Sequence, residues 1–189
     1  MYAGGVDELI GYHRRACERF SAVVDQVGGR WEVPSPCERW DVTALVEHVI
    51  GFHDVLLLRP MGTKPTRPRG DPRARWGVTV PAIFLALQRA TDPDPDAPSA
   101  PPTINLERLL PGLTTEVLVH TWDVAVALSI QPDLDPEVCE LSYESVRRNE
   151  ERVRASGMFG PTVEVPPGAD PAVRLVAALG RDPTWTARA

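Results

Sequence analysis

The segment EVLVHTWDVA, Glu116 to Ala125, sets a carboxylate and an imidazole four residues apart. It lies in a run, Leu113 to Leu128, that is otherwise mostly apolar. Charged and imidazole groups are costly to bury unless something pairs with them. Four residues is also the spacing that stacks two side chains on one face of a helix. A metal ion held by Glu116 and His120 answers both points. A third ligand is available in ALVEHVIGFH, where His48 falls three residues after Leu45 and four before Phe52. His48 therefore points with an apolar stripe, while Glu47 and Asp54 point away. Three protein ligands with an open fourth position are the usual form of a catalytic zinc site. Two histidines and one carboxylate also suit ferrous iron or nickel. The pattern is not HExxH, so ordinary metalloprotease chemistry has no support.

Taken singly, each residue has a plainer reading. A buried histidine is commonly a hydrogen-bonded core residue. Glu116 suits the first turn of a helix by its charge, and His120 has carbonyls within reach. His13 lines up with Leu9, Cys17 and Phe20 and reads as core, ahead of a fourth ligand or a proton-transfer group. His53 is five residues after His48, turned off that face and a weak candidate. Asp123 stands about one turn beyond His120, where it either orients a ligand or faces solvent. Cys17 and Cys139 read as small buried apolar residues.

Helices must position these groups. Apolar residues recur at helical spacing from Val6 to Val27, and Gly28-Gly29 stops that element. Asp41 or Thr43 caps a second helix running to about Leu58, and Pro60 ends it. Residues 61–76 read as a mobile loop rich in Pro, Gly and Arg. Its Lys64, Arg67, Arg69, Arg73 and Arg75 are read as solvated ahead of an anion-binding patch. A shorter helix spans Val78 to Ala90, and residues 91–102 are too proline-rich for regular structure. Further helices run from about Pro111 to Ser129 and from Pro136 to Ser156. The tail holds one short helix ending near Leu179-Gly180. The expected fold is all-α, an antiparallel four-helix bundle over residues 1–157. Residues 158–189 form a short C-terminal extension packing on the same domain.

Composition agrees with this picture. A net charge of −6 over 189 residues argues against general nucleic-acid binding. No run reaches the roughly 18 apolar residues of a membrane span. The N-terminal stretch lacks a basic region followed by an apolar core, so a cytoplasmic location is the expectation. Three widely spaced cysteines, Cys17, Cys37 and Cys139, argue against a disulfide framework and a cysteine zinc site. Helix faces left over after bundle formation leave room for a homodimer.

The stretches CERWDVTALVEHVIG and EVLVHTWDVAVAL resemble the metal-binding domain of mycothiol-dependent maleylpyruvate isomerases, within the DinB-like superfamily. The tail FGPTVEVPPGADPAVRLVAALGRDP resembles an actinobacterial branch of that family. The resemblance implies a divalent metal, zinc first with nickel or iron as alternatives, bound by His48, Glu116 and His120. It also implies mycothiol as a co-substrate and a small-molecule substrate. The isomerases resembled carry a substantial second domain after the bundle. The expectation here is therefore narrower, a thiol-dependent transferase or isomerase whose catalytic residues stay unassigned. Metal-assisted hydrolysis and a non-catalytic metal-binding sensor or interaction module remain open beside it.

Overall fold

The computed structural model describes residues 5–37, 40–92 and 104–187. Seven α-helices and one π-helical turn are found among them, and no strand beyond the isolated bridge Pro34–Asp41. None of these helices is long and apolar enough to cross a membrane.

The bundle proper is made by α1 (Val6–Asp25), α2 (Val42–His53), α3 (Pro72–Thr91) and α4 (Leu106–Ala127). In α1 the buried positions Leu9, His13, Ala16, Cys17, Phe20, Val23 and Val24 follow the helical period. Asp7 and Glu8 sit in its first turn, favourably placed against the helix dipole. Asp41 caps α2 by accepting from the Ala44 amide at 2.7 Å. After His53 the chain widens into the π-turn Asp54–Leu58, so the second element does reach Leu58. Asn105 caps α4 in the same manner, accepting from the Arg108 amide at 2.9 Å.

Packing closes a ring in which α1 meets α4, α4 meets α2, α2 meets α3 and α3 meets α1. Consecutive helices α1 and α2 thus face each other across a diagonal, as do α3 and α4. Outside the ring, α5 (Pro136–Arg148) packs on α4, and α7 (Pro171–Ala178) packs on both α5 and α4. Neighbours on several sides bury α4 at every position from Leu113 to Ala125. That is why this helix lacks a polar face.

Three boundaries differ from the sequence expectation. Helix α3 starts at Pro72, not Val78, because Asp71 accepts from the Ala74 amide and proline suits the first helical turn. It continues through Pro81. Helix α4 starts at Leu106, with Pro111 inside it. The segment expected as one helix to Ser156 breaks at Asn149, separating α5 from α6 (Glu150–Ala155). The basic stretch is also more tied down than a solvated loop. Arg67 makes two bonds to the Asp54 carboxylate at 2.8 and 2.6 Å, and Arg75 bonds Glu47 at 2.6 and 3.0 Å. The expectation of irregular structure over residues 91–102 falls, from residue 93 onward, outside the described residues.

The tail is fixed by a close backbone approach. Gly180 has φ +78, and a Cβ there would lie 2.6 Å from the Gly160 backbone. Gly157 has a similar φ of +66 but open space around it. Gly157→Ala should cost about 1 kcal/mol, for the left-handed backbone alone. Gly180→Ala should cost more, roughly 2 kcal/mol or above, because the clash with backbone adds to the same penalty. Urea denaturation of both variants checks this, and equal losses would remove the close approach as a cause.

Candidate metal centre

Helices α2 and α4 are neighbours in the ring, so the two sequence elements that carry the candidate ligands lie side by side. The structure brings His48, Glu116 and His120 together, with their ligand atoms all within 4.8 Å of one another. His48 Nε2 and His120 Nε2 each lie 3.3 Å from the same oxygen, Glu116 Oε2. The edges of a tetrahedron with metal–ligand arms of about 2.0–2.1 Å are about 3.3–3.4 Å. The two observed separations match such edges. His120 and Glu116 are buried, whereas the His48 side chain keeps 25% of its exposure and forms the open side of the cluster.

Asp123 is fully buried, which removes the solvent-facing reading. Its Oδ2 lies 2.9 Å from His120 Nδ1. A neutral His120 that donates this bond turns the Nε2 lone pair toward Glu116 and His48, the arrangement common in metal-binding histidines. Asp123 is held in turn by Arg181, whose Nε and Nη2 donate to its two oxygens at 3.2 and 2.9 Å. Arg181 Nη2 also meets Cys37 Sγ at 2.8 Å. Cys37, His120 and Asp123 form another close group, but the guanidinium already placed among them opposes a cation there.

Trp40 closes one side, its ring centroid 4.5 Å from that of His48 and 5.8 Å from that of His120. Phe52, one turn along α2, stands 5.3 Å from the His48 ring. A cleft of about 1120 Å³ reaches Glu116, and Phe52, Leu56, Leu113, Met158 and Phe159 are among its lining residues. Glu140, Glu144, Arg148 and Arg152 also line it, so the cleft offers charged groups beside its apolar surface and is large enough for a small molecule.

Sequence reasoning missed Trp40, Cys37 and Arg181. Trp40 and Cys37 lie in a loop without periodicity, and Arg181 is 58 positions from Asp123. No spacing rule links such residues. His13 is core, as expected. His53 is off the His48 face, as expected, but it is not a surface residue. It is buried and meets His13 between α1 and α2.

Charge in the cluster is balanced without water. Burial raises the Glu116 pKa, but hydrogen bonds from His120 and His48 outweigh it and carry the group down to about 2. Burial lowers the His120 pKa, yet the bonds to Asp123 and Glu116 prevail and hold it above its ordinary value of 6.5. Burial raises the Asp123 pKa, and the bonds from His120 and Arg181 reverse this. Without metal, a proton on His120 serves as the local cation. Its contribution to stability is present below pH 6.5 and lost as pH rises through the raised folded value. A proton–nitrogen NMR titration of metal-free protein should find His120 titrating above 6.5, and Asp123→Asn should bring it down. Titration of His120 below 6.5 in the parent protein would defeat this account.

The sequence model of the mycothiol maleylpyruvate isomerase N-terminal domain family matches residues 13–125. Two relatives of Mycobacterium tuberculosis are similar over nearly the whole chain. These are the uncharacterized proteins Rv0738 of strain H37Rv and MT0763 of strain CDC 1551 / Oshkosh. Each is 32% identical over 196 residues, covering 89% of this chain and 95% of the relative. No solved structure matches.

Proposed function

Because the chain belongs to the mycothiol maleylpyruvate isomerase N-terminal domain family, we propose that it works with a low-molecular-weight thiol, mycothiol, at a divalent metal held by His48, Glu116 and His120. The reaction class is transfer or isomerisation of a small molecule, and zinc is the metal of first choice, ahead of nickel and iron. One observation carries the reading: three donor side chains of the right types converge on one point, and one of them, Glu116, lines a cleft. His48, Glu116 and His120 would hold the ion, which when bound would lower the pKa of a coordinated thiol and so favour its thiolate form.

The chain's own residues do the rest. Two neutral imidazoles and one carboxylate leave a net positive charge at the site, which favours an anionic sulfur there. Asp123 keeps the His120 proton on Nδ1 and so keeps Nε2 free as a donor atom. Arg181 matches the charge of Asp123, so this second carboxylate does not compete for the ion. Trp40 shields the imidazoles from water, and the walls at Phe52 and Leu56 offer apolar surface to a substrate.

Metal uptake and turnover are tested on the same preparations. Protein offered zinc at neutral pH should take up a stoichiometric ion. His48→Ala and His120→Ala should each remove most of it, and Glu116→Gln should weaken it by removing the anionic donor. Asp123→Asn should weaken it roughly 10–100-fold. Affinity should fall with pH through the raised range of His120, since the proton and the ion compete for Nε2. A His48→Ala variant that retains the full zinc content removes the site. With zinc bound, mycothiol-dependent conversion of small electrophiles or cis-olefinic acids is expected. Hydrolysis without thiol would assign the centre to water activation instead. Stoichiometric zinc with no conversion under either condition would make the protein a binding module.

A further inference from the structure

A second group of metal-type ligands lies on the other side of α2, sealed inside the ring. His13 and Cys17 of α1 and His53 at the end of α2 are 0%, 0% and 1% exposed. Their ligand atoms all lie within 4.8 Å of one another. The two Nε2 atoms are 3.2 Å apart, and Cys17 Sγ is 3.6 Å from His13 Nε2. A three-coordinate ion with nitrogen arms of about 2.0 Å and a sulfur arm of about 2.2–2.3 Å separates its ligands by about 3.5–3.7 Å, so the two Nε2 atoms need move apart by only a few tenths of an ångström to admit it.

The outward nitrogens of both rings are already engaged. His53 Nδ1 lies 2.7 Å from the Val49 carbonyl oxygen, which can only accept, so this nitrogen carries the proton. The His53 Nε2 lone pair is thereby turned into the cluster. His13 Nδ1 lies 3.1 Å from Thr114 Oγ1, which can accept in the same way. Donation of the outer N–H to a backbone or side-chain oxygen is the usual setting of a metal-binding histidine. An independent feature marks the same place. The helix widens into its π-turn directly after His53, and such turns occur frequently at functional sites.

We propose that His13, Cys17 and His53 form a second metal site, separate from the His48, Glu116 and His120 centre, that takes the soft monovalent cation copper(I). The ion is selected by charge and ligand type. One thiolate and two neutral imidazoles sum to a single negative charge. A monovalent ion leaves the sealed site neutral, whereas a divalent ion leaves an unmatched positive charge away from water. Sulfur and imidazole donors at low coordination number suit copper(I). On binding, the Cys17 S–H bond breaks, a Cu–S bond forms and the proton leaves to solvent, with no change of oxidation state. In the metal-free protein one Nε2 must carry a proton toward the other. His13 Nδ1 then accepts a hydrogen bond from the Thr114 hydroxyl, and on loading the His13 proton moves from Nε2 to Nδ1, which reverses the tautomer. Because no ligand atom is open to water, loading proceeds through local opening and is slow in the folded chain.

The test uses the full chain, reduced, metal-free and carrying His48→Ala and His120→Ala so that the first centre is silent. Copper(I) is delivered from a chromogenic chelator under inert gas. One equivalent should bind, with one proton released per ion at neutral pH. X-ray absorption should show one sulfur and two imidazole neighbours, and nitrogen NMR should show the His13 tautomer change. Cys17→Ser should weaken binding by roughly a hundredfold or more, while Cys37→Ser and Cys139→Ser leave it unchanged. The spectroscopic readouts do not depend on the Cys17 variant folding. The proposal is overturned by absence of a sulfur neighbour, by a sulfur traced to Cys37 or Cys139, or by unchanged affinity in Cys17→Ser. Loading of the three residues by zinc but not copper(I) also overturns it.

Discussion

A carboxylate buried in a helix that is covered on several sides sets the terms for the surrounding structure. Glu116 is 5% exposed, and its ionised form cannot rely on water. It must share its charge with something brought to it. The structure brings His120 from the same helix and His48 from the neighbouring one, both onto Glu116 Oε2. A proton on His120 supplies positive charge at that point until pH rises through its raised folded value. The depressed Glu116 and the raised His120 follow from this sharing of charge.

The order of the ring makes the meeting possible. With α4 as one of its two ring neighbours, α2 presents His48 to Glu116. The diagonal arrangement puts α2 between α4 and α3, so its two flanks serve two clusters. One flank offers His48 to Glu116. The other ends in His53, which meets His13 from across the ring. The side chains that point away from the core, Glu47 and Asp54, are anchored by Arg75 and Arg67. The Arg75–Glu47 pair is partly solvated and contributes little to stability, whereas the two-bonded Arg67–Asp54 pair is 10% and 18% exposed and ties the chain near residue 67 to the end of α2.

The extension beyond α6 has a part in the centre. Its helix α7 packs on α5 and α4, and Gly180 turns the chain in a conformation that favours glycine. The next residue, Arg181, then reaches Asp123, which holds His120. A run of contacts therefore connects the tail to an imidazole at the heart of the bundle. The Gly160–Gly180 approach fixes the geometry at its outer end.

Much of this was legible in the sequence. Apolar residues at helical spacing marked α1, α2 and α4, because a helix that buries one face must repeat its apolar residues every three to four positions. The spacing of Glu116 and His120, and the place of His48 on an apolar stripe, picked out three residues that do converge. Proline misled at the helix starts. Its first-turn preference was read at Pro111, where the helix is already under way, and overlooked at Pro72. Other features had no signal in the order of residues. Arg181 reaching Asp123, Trp40 covering the imidazoles and His53 turning inward to His13 all depend on which helices become neighbours. Periodicity reports which face of a helix is buried. It does not report what lies opposite, because that is decided by packing between elements far apart in the chain.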